Sequence, residues 1–137
     1  MSTILSLVLA MTMQAAPSPV RVIAQASMSQ VEEFKQAVAR TPEEWTALWR
    51  QHTGAAKMPA VDFKSRMVVA VFLGSRTSAG YSAEIVGTRE SEGALIVEWR
   101  ERRPGGDEVA AQVLTSPAVM VSIPKFAGEV KFVRVAQ

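Results

Sequence analysis

His52 is the chain's one histidine, so any acid–base chemistry would begin there. Paired with a serine, an imidazole can activate a hydroxyl nucleophile. The sequence has many serines but no Gly-x-Ser-x-Gly elbow to present one. His52 follows Trp45, Leu48 and Trp49 at helical spacing, and so falls at the end of an apolar stripe. A histidine in the last turn of a helix meets the negative end of the dipole and caps it, which needs no catalytic task. The structural reading is favoured. A small hydrolase using His52 and an unassigned serine is the enzymatic alternative. One imidazole cannot build a multi-histidine metal site. The absence of cysteine removes disulfides, CxxC redox chemistry and thiolate ligation. No catalytic, cofactor-binding or metal-binding residue is therefore assigned.

Carboxylates come in adjacent pairs: Glu32-Glu33, Glu43-Glu44 and Asp107-Glu108. Neighbours on a strand point to opposite faces, and on a helix they diverge by about 100°. None is a ready-made general acid/base pair, and solvated surface charge is the better reading. No Asp-x-Asp-x-Asp-Gly loop is present for a hard cation. Arg100, Arg102 and Arg103 cluster at a strand end, where they could meet a phosphate or an acidic partner. Glu98, Glu101, Asp107 and Glu108 surround them and nearly cancel them. Alternation puts Arg100 and Arg102 on one face and Arg103 on the other. A net charge of +2, with no basic stripe interleaved with aromatics, argues against nucleic acid.

The stretch Gly74, Ser75, Arg76, Thr77, Ser78, Ala79, Gly80, Tyr81 offers more. Two glycines bracket hydroxyls and a guanidinium. Backbone amides with Ser75, Thr77 and Ser78 could grip a carboxylate, and Arg76 would supply charge. The competing reading is a hairpin loop whose glycines take positive φ. The Gly-Lys-Ser/Thr ending of a phosphate loop is missing. Gly74, Ser75, Arg76, Thr77, Ser78, Gly80 and Tyr81 are the candidate interaction surface.

The elements that would position these groups are mostly strands. Val20–Ala26, Val31–Ala39, Tyr81–Thr88, Ala94–Arg102, Val109–Leu114, Ala118–Ile123 and Val130–Val135 alternate or carry β-formers. Met67–Leu73 is a short, β-branched, continuous apolar run, as in a strand buried on both faces. Glu90–Gly93 and Pro104–Asp107 read as turns. Thr115-Ser116-Pro117 and Ile123-Pro124-Lys125 punctuate the strand between them. The methionines outside the leader are core filler. Thr41-Pro42-Glu43-Glu44 is a capping box with proline at the first helical position. Thr41 should accept from the Glu44 N–H, and Glu44 should reach back to the Thr41 N–H. Gly54 should stop the helix. The expected fold is α+β: mainly antiparallel strands, as a curled sheet or sandwich, with one helix packed on the sheet.

At 137 residues the chain fits one domain, which can bury about two-thirds of its unfolded surface. Residues 1–16 carry no charge and hold an apolar run ending at Gln14-Ala15-Ala16-Pro17. That pattern reads as a secretory signal, too short for the ~20 apolar residues of a membrane span. Residues 17–137 would then be a single exported domain, periplasmic or extracellular.

The order of motifs resembles the PrcB C-terminal-domain family. Glu44-Trp45 with Leu48-Trp49 comes first, then Val61-Asp62-Phe63 and the apolar strand into Gly74-Ser75-Arg76. Gly80-Tyr81, Pro104-Gly105, Leu114-Thr115-Ser116-Pro117 and Ile123-Pro124-Lys125 follow. The likeness runs from about Val31 to Phe132. Ala79 stands where the family usually has glycine, and Ala118 where an aromatic often follows Ser-Pro. The family's namesake is an accessory lipoprotein subunit of a surface protease complex. The resemblance therefore implies a non-catalytic accessory module that assists or stabilises a protein partner, a protease. With no cysteine, lipid anchoring does not carry over. A binding module for a small anionic ligand at the Arg76 loop is the second reading.

Overall fold

The computed structural model describes residues 19–106 and 110–137. The leader at 1–16, the Asp107-Glu108 pair and Val109 lie outside the described residues.

Among the described residues, seven strands and one helix follow in order: β1 Arg21–Ala26, β2 Lys35–Ala39, α1 Pro42–His52, β3 Arg66–Phe72, β4 Ser82–Ser91, β5 Ala94–Arg102, β6 Ala118–Pro124 and β7 Val130–Arg134. They form a four-stranded sheet, β1-β6-β3-β2, and a three-stranded sheet, β4-β5-β7. The sheets are not closed into a barrel, so the sandwich alternative describes the fold.

The continuous apolar run becomes β3, which pairs with β2 on one side and β6 on the other. Its alternate residues serve two cores. Met67, Val69 and Val71 face Ile85, Leu95, Val97 and Trp99 of the second sheet, with Val119 and Val121 of β6 beside them. Val68, Ala70 and Phe72 face Trp45, Leu48 and Trp49 of α1. A strand between two apolar layers has no wet face, hence no alternation. Each fully buried large aliphatic contributes about 1.5–3 kcal/mol, while an exposed ion pair contributes about 0–1. The layers helix, sheet and sheet are thus held together by β3 and β6. Met67 and Met120 are core filler as expected, but Met28 is exposed.

The capping box forms with one change. Thr41 accepts from the Glu44 N–H at 3.1 Å, but Glu44 accepts from the Arg40 N–H, not that of Thr41. The helix also ends without help from Gly54. Thr53 takes an extended backbone and donates its N–H to Trp49 O at 2.9 Å. The Trp45 and Trp49 indoles donate to Pro59 O and Ala56 O, folding 55–61 back over the helix.

Other strand boundaries move for physical reasons. Glu92 and Gly93 both have positive φ, the signature of a two-residue hairpin turn. β4 therefore runs on to Ser91, opposite Ala94, rather than turning from Glu90. Residues 31–34 are not strand, because Glu32 O is taken by the Ser75 N–H. Residues 110–114 are not strand either; Ala111 O accepts from both Ala79 and Val113. β7 runs parallel to β5, against the antiparallel expectation. Between them the chain passes through β6 in the other sheet, so the link is a crossover and not a hairpin. No helix among the described residues is long and apolar enough to cross a membrane.

Candidate functional site

Three polar constellations occupy the end of the sandwich where the Gly74–Tyr81 loop lies. The loop comes first. Gly74 is buried with φ 81°, and a Cβ there would stand 2.9 Å from Phe34 N. Only glycine lets the loop pass so close to the chain entering β2. Gly80, at φ 96°, would press a Cβ to 2.9 Å from Pro104. Between the glycines the loop is pinned by its backbone. The Arg76 N–H donates to Thr115 O and the Thr115 N–H to Arg76 O, while Thr115 Oγ1 donates to Ser78 O at 2.9 Å. Ser78 is buried and donates to Ala79 O, and Ser75 donates to Glu32 O. Ser75 and Thr77 remain exposed. The hydroxyls of Ser75 and Ser78 are thus tied to the fold.

Arg76 points inward. Its Nε donates to Glu101 Oε1 at 2.6 Å, and its Nη1 donates to Leu73 O and Ser75 O. Its guanidinium also lies 5.8 Å from the Tyr81 ring centroid. The Glu101 side chain is 3% exposed, so its charge must be matched where it stands. Arg134 Nη2 reaches Glu101 Oε2 at 2.9 Å, and Arg103 Nε lies 3.8 Å from the same oxygen. Arg134 also sits over the Trp99 ring, 5.5 Å from its centroid. Phe34 packs on Trp99 with centroids 5.7 Å apart, and the buried Trp99 Nε1 has no hydrogen-bond partner.

Alternation divides the arginines as the sequence indicated. Arg100 and Arg102 share one face and both meet Glu84, the former with two hydrogen bonds at 3.1 and 3.2 Å. Arg103 meets Glu101 on the other face. Glu98 pairs with Arg89 instead of the cluster. Glu32, Glu33, Glu43 and Glu44 are all exposed, as surface charge.

The third constellation surrounds His52. Its Nδ1 lies 2.8 Å from Ser29 Oγ, so the serine left unassigned by the sequence is Ser29. Both residues are buried, at 5% and 4% exposure. Ser29 Oγ also accepts from the Val31 N–H at 3.1 Å. Ser116 Oγ donates to Ser29 O, and the Gln30 N–H donates to His52 O. The imidazole packs edge-on against Trp49 and beside Phe72, with centroids 5.1 and 6.2 Å away. Burial lowers the His52 pKa below the ordinary histidine value, favouring the neutral ring. His52 therefore secures the helix end through Ser29 and its own carbonyl, not through positive charge.

Ser29, Glu101 and Arg134 were not singled out from the sequence. For Glu101 a signal existed: Leu95, Val97, Trp99 and Glu101 are in phase, so a carboxylate continues the inward row. The parallel register then sets Arg134 opposite Trp99. Ser29 sits in an irregular segment with no periodicity to read.

No curated protein and no solved structure matches the chain. Residues 67–124 match the family model described as PrcB C-terminal. That segment carries β3 through β6 and includes the pinned loop; β1, β2, α1 and β7 lie outside it. Across the matched segment, which contains the glycine loop, the Ser-Pro motif and Ile123-Pro124, the chain is similar to the PrcB C-terminal family.

Proposed function

We propose that this chain is an exported, non-catalytic interaction module that assists or stabilises a partner protein, and that the partner is a protease. The match to the PrcB C-terminal model supports an accessory role, since the resemblance implies a domain associated with a protease complex. The observation that carries the reading is the loop at 74–81. It is anchored at both glycines and at Thr115, while Ser75 and Thr77 face solvent beside the 71% exposed Leu114. A surface ordered before binding loses less conformational entropy when a partner arrives.

The test is a pull-down from the native host's envelope fraction with wild type, Thr77→Glu and Leu114→Glu in parallel. These exposed positions leave the loop's anchors intact, so loss of capture reports on contact and not on folding. Wild-type capture of a protease, lost in both variants, is the expected result. Equal capture by all three places the surface elsewhere. Export has its own check: the mature mass should correspond to a start near Pro17. Intact Met1 in the cytosol would end that part of the proposal.

A further inference from the structure

Glu101 has two carboxylate oxygens and three arginines. Arg76 takes Oε1 at 2.6 Å and Arg134 takes Oε2 at 2.9 Å, one hydrogen bond to each oxygen. Arg103 stands further off, at 3.8 Å, and among the described residues it pairs with no other carboxylate. Among the described side chains, three guanidinium charges stand against this one carboxylate. The positive charges are not diffuse. Glu101 and the Trp99 ring hold Arg134 between them, and Arg103 leans on the same carboxylate. Both guanidinium groups stay open to water, with side chains 62% and 51% exposed for Arg103 and Arg134. They line one cleft of about 240 Å³ whose walls also include Glu101, Val135, Ala136 and Gln137. That is room for a small oxyanion and several waters.

We infer that Arg103 and Arg134 form an oxyanion-binding site at the C-terminal end of β7, taking one carboxylate or phosphate group between two guanidiniums that Glu101 orients. Guanidinium donors match the oxygens of either group, and fixed donors bind them better than free ones. Glu101 is a positioning residue here: buried itself, it fixes the direction of the arginines without facing the ligand alone. The cleft lined by Arg21 and Arg66 differs. Arg66 donates to Pro19 O and to Ser122, and Asp62 shares the walls with Arg21 and Arg66, so negative charge is already supplied.

The experiment uses the full chain, labelled with ¹⁵N, at constant ionic strength so that general screening cannot mimic binding. Three probes are titrated: inorganic phosphate, an acetylated tetrapeptide with a free C-terminal carboxylate, and the same peptide as its amide. Saturable shifts of the Arg103 and Arg134 Nε–H signals and of the Trp99 indole are expected with an oxyanion and not with the amide. A response to the peptide acid alone identifies a protein carboxylate as the source, and a response to phosphate alone identifies free phosphate. Arg103→Gln should weaken binding roughly tenfold, the loss of one charge-assisted contact, with thermal stability unchanged. Arg103→Lys should recover part of the affinity. Linear, unsaturated shifts for every probe, or unchanged binding by Arg103→Gln, would overturn the site. Partner capture without oxyanion binding would sink this site alone. Oxyanion binding without capture would sink the partner alone.

Discussion

Two buried polar constellations sit at the same end of this molecule and solve the same problem differently. Around His52 the groups are neutral and mutually sufficient. Ser29 accepts from Val31 and meets the imidazole, while Gln30 takes the last helix carbonyl. Around Glu101 the buried group is charged, and three arginines surround it. Neutral polar groups can be enclosed once their hydrogen bonds are made. A buried carboxylate needs counter-charge, and that counter-charge has to reach it from a wet surface. The first constellation is therefore sealed by aromatic rings, and the second opens onto a cleft. The residue type that suggests catalysis lies in the closed place. The capacity to bind lies where the arginines are open to water.

The contrast can be broken most forcefully at Arg76. Arg76→Met removes the nearest partner of a buried carboxylate and two hydrogen bonds to carbonyls. Arg134 still holds Oε2, so urea unfolding should show a loss of about 2–3 kcal/mol, below the ~3–5 of a stranded buried charge. A loss under about 0.5 kcal/mol, the range of an ordinary surface change, would mean that the Arg76–Glu101 pair does not hold the fold. Ser29→Ala should cost about 1–2 kcal/mol, because the Val31 N–H and the imidazole lose a buried partner. No change would place water in the serine's role.

The pH dependence sharpens the comparison further. Burial lowers the His52 pKa in the folded state below the ordinary 6.5. Above that value both the folded and unfolded rings are neutral, and His52 contributes no slope. As pH falls below 6.5 the unfolded chain takes up the proton first, so stability falls with it. Unfolding curves between pH 7 and pH 5 should show this decline, and His52→Asn should flatten it. Stability that rises on acidification over that range would mean that the ring is charged and paired. The smallest effect belongs to Arg103→Gln, which should stay within about 0.5 kcal/mol of wild type. A larger loss would make Arg103 part of the scaffold.

How much of this the sequence carried depends on periodicity. β3 is legible because a strand between two layers must be apolar at every step. α1 is legible because Thr41, Pro42 and the tryptophan stripe each encode one physical constraint. The parallel β5–β7 pair was not legible, since strand order reflects which sheet the intervening chain visits. The Gly74–Tyr81 loop was found through its glycines, whose positive φ and close approaches are real. Which way Arg76 turned was hidden, because its partner lies 25 residues later on a different strand. Glu101 was readable in principle from its phase with Trp99. Ser29 was not, because an irregular segment offers no phase to read.

We propose that the lone imidazole and its serine hold the fold and do no bond-breaking chemistry. A fluorophosphonate probe with intact-mass readout tests it most directly. Native protein incubated with the probe should show no adduct on Ser29, because the hydroxyl is enclosed and engaged. A stoichiometric adduct on Ser29 in the folded protein, abolished by His52→Ala with the fold retained, would contradict the account.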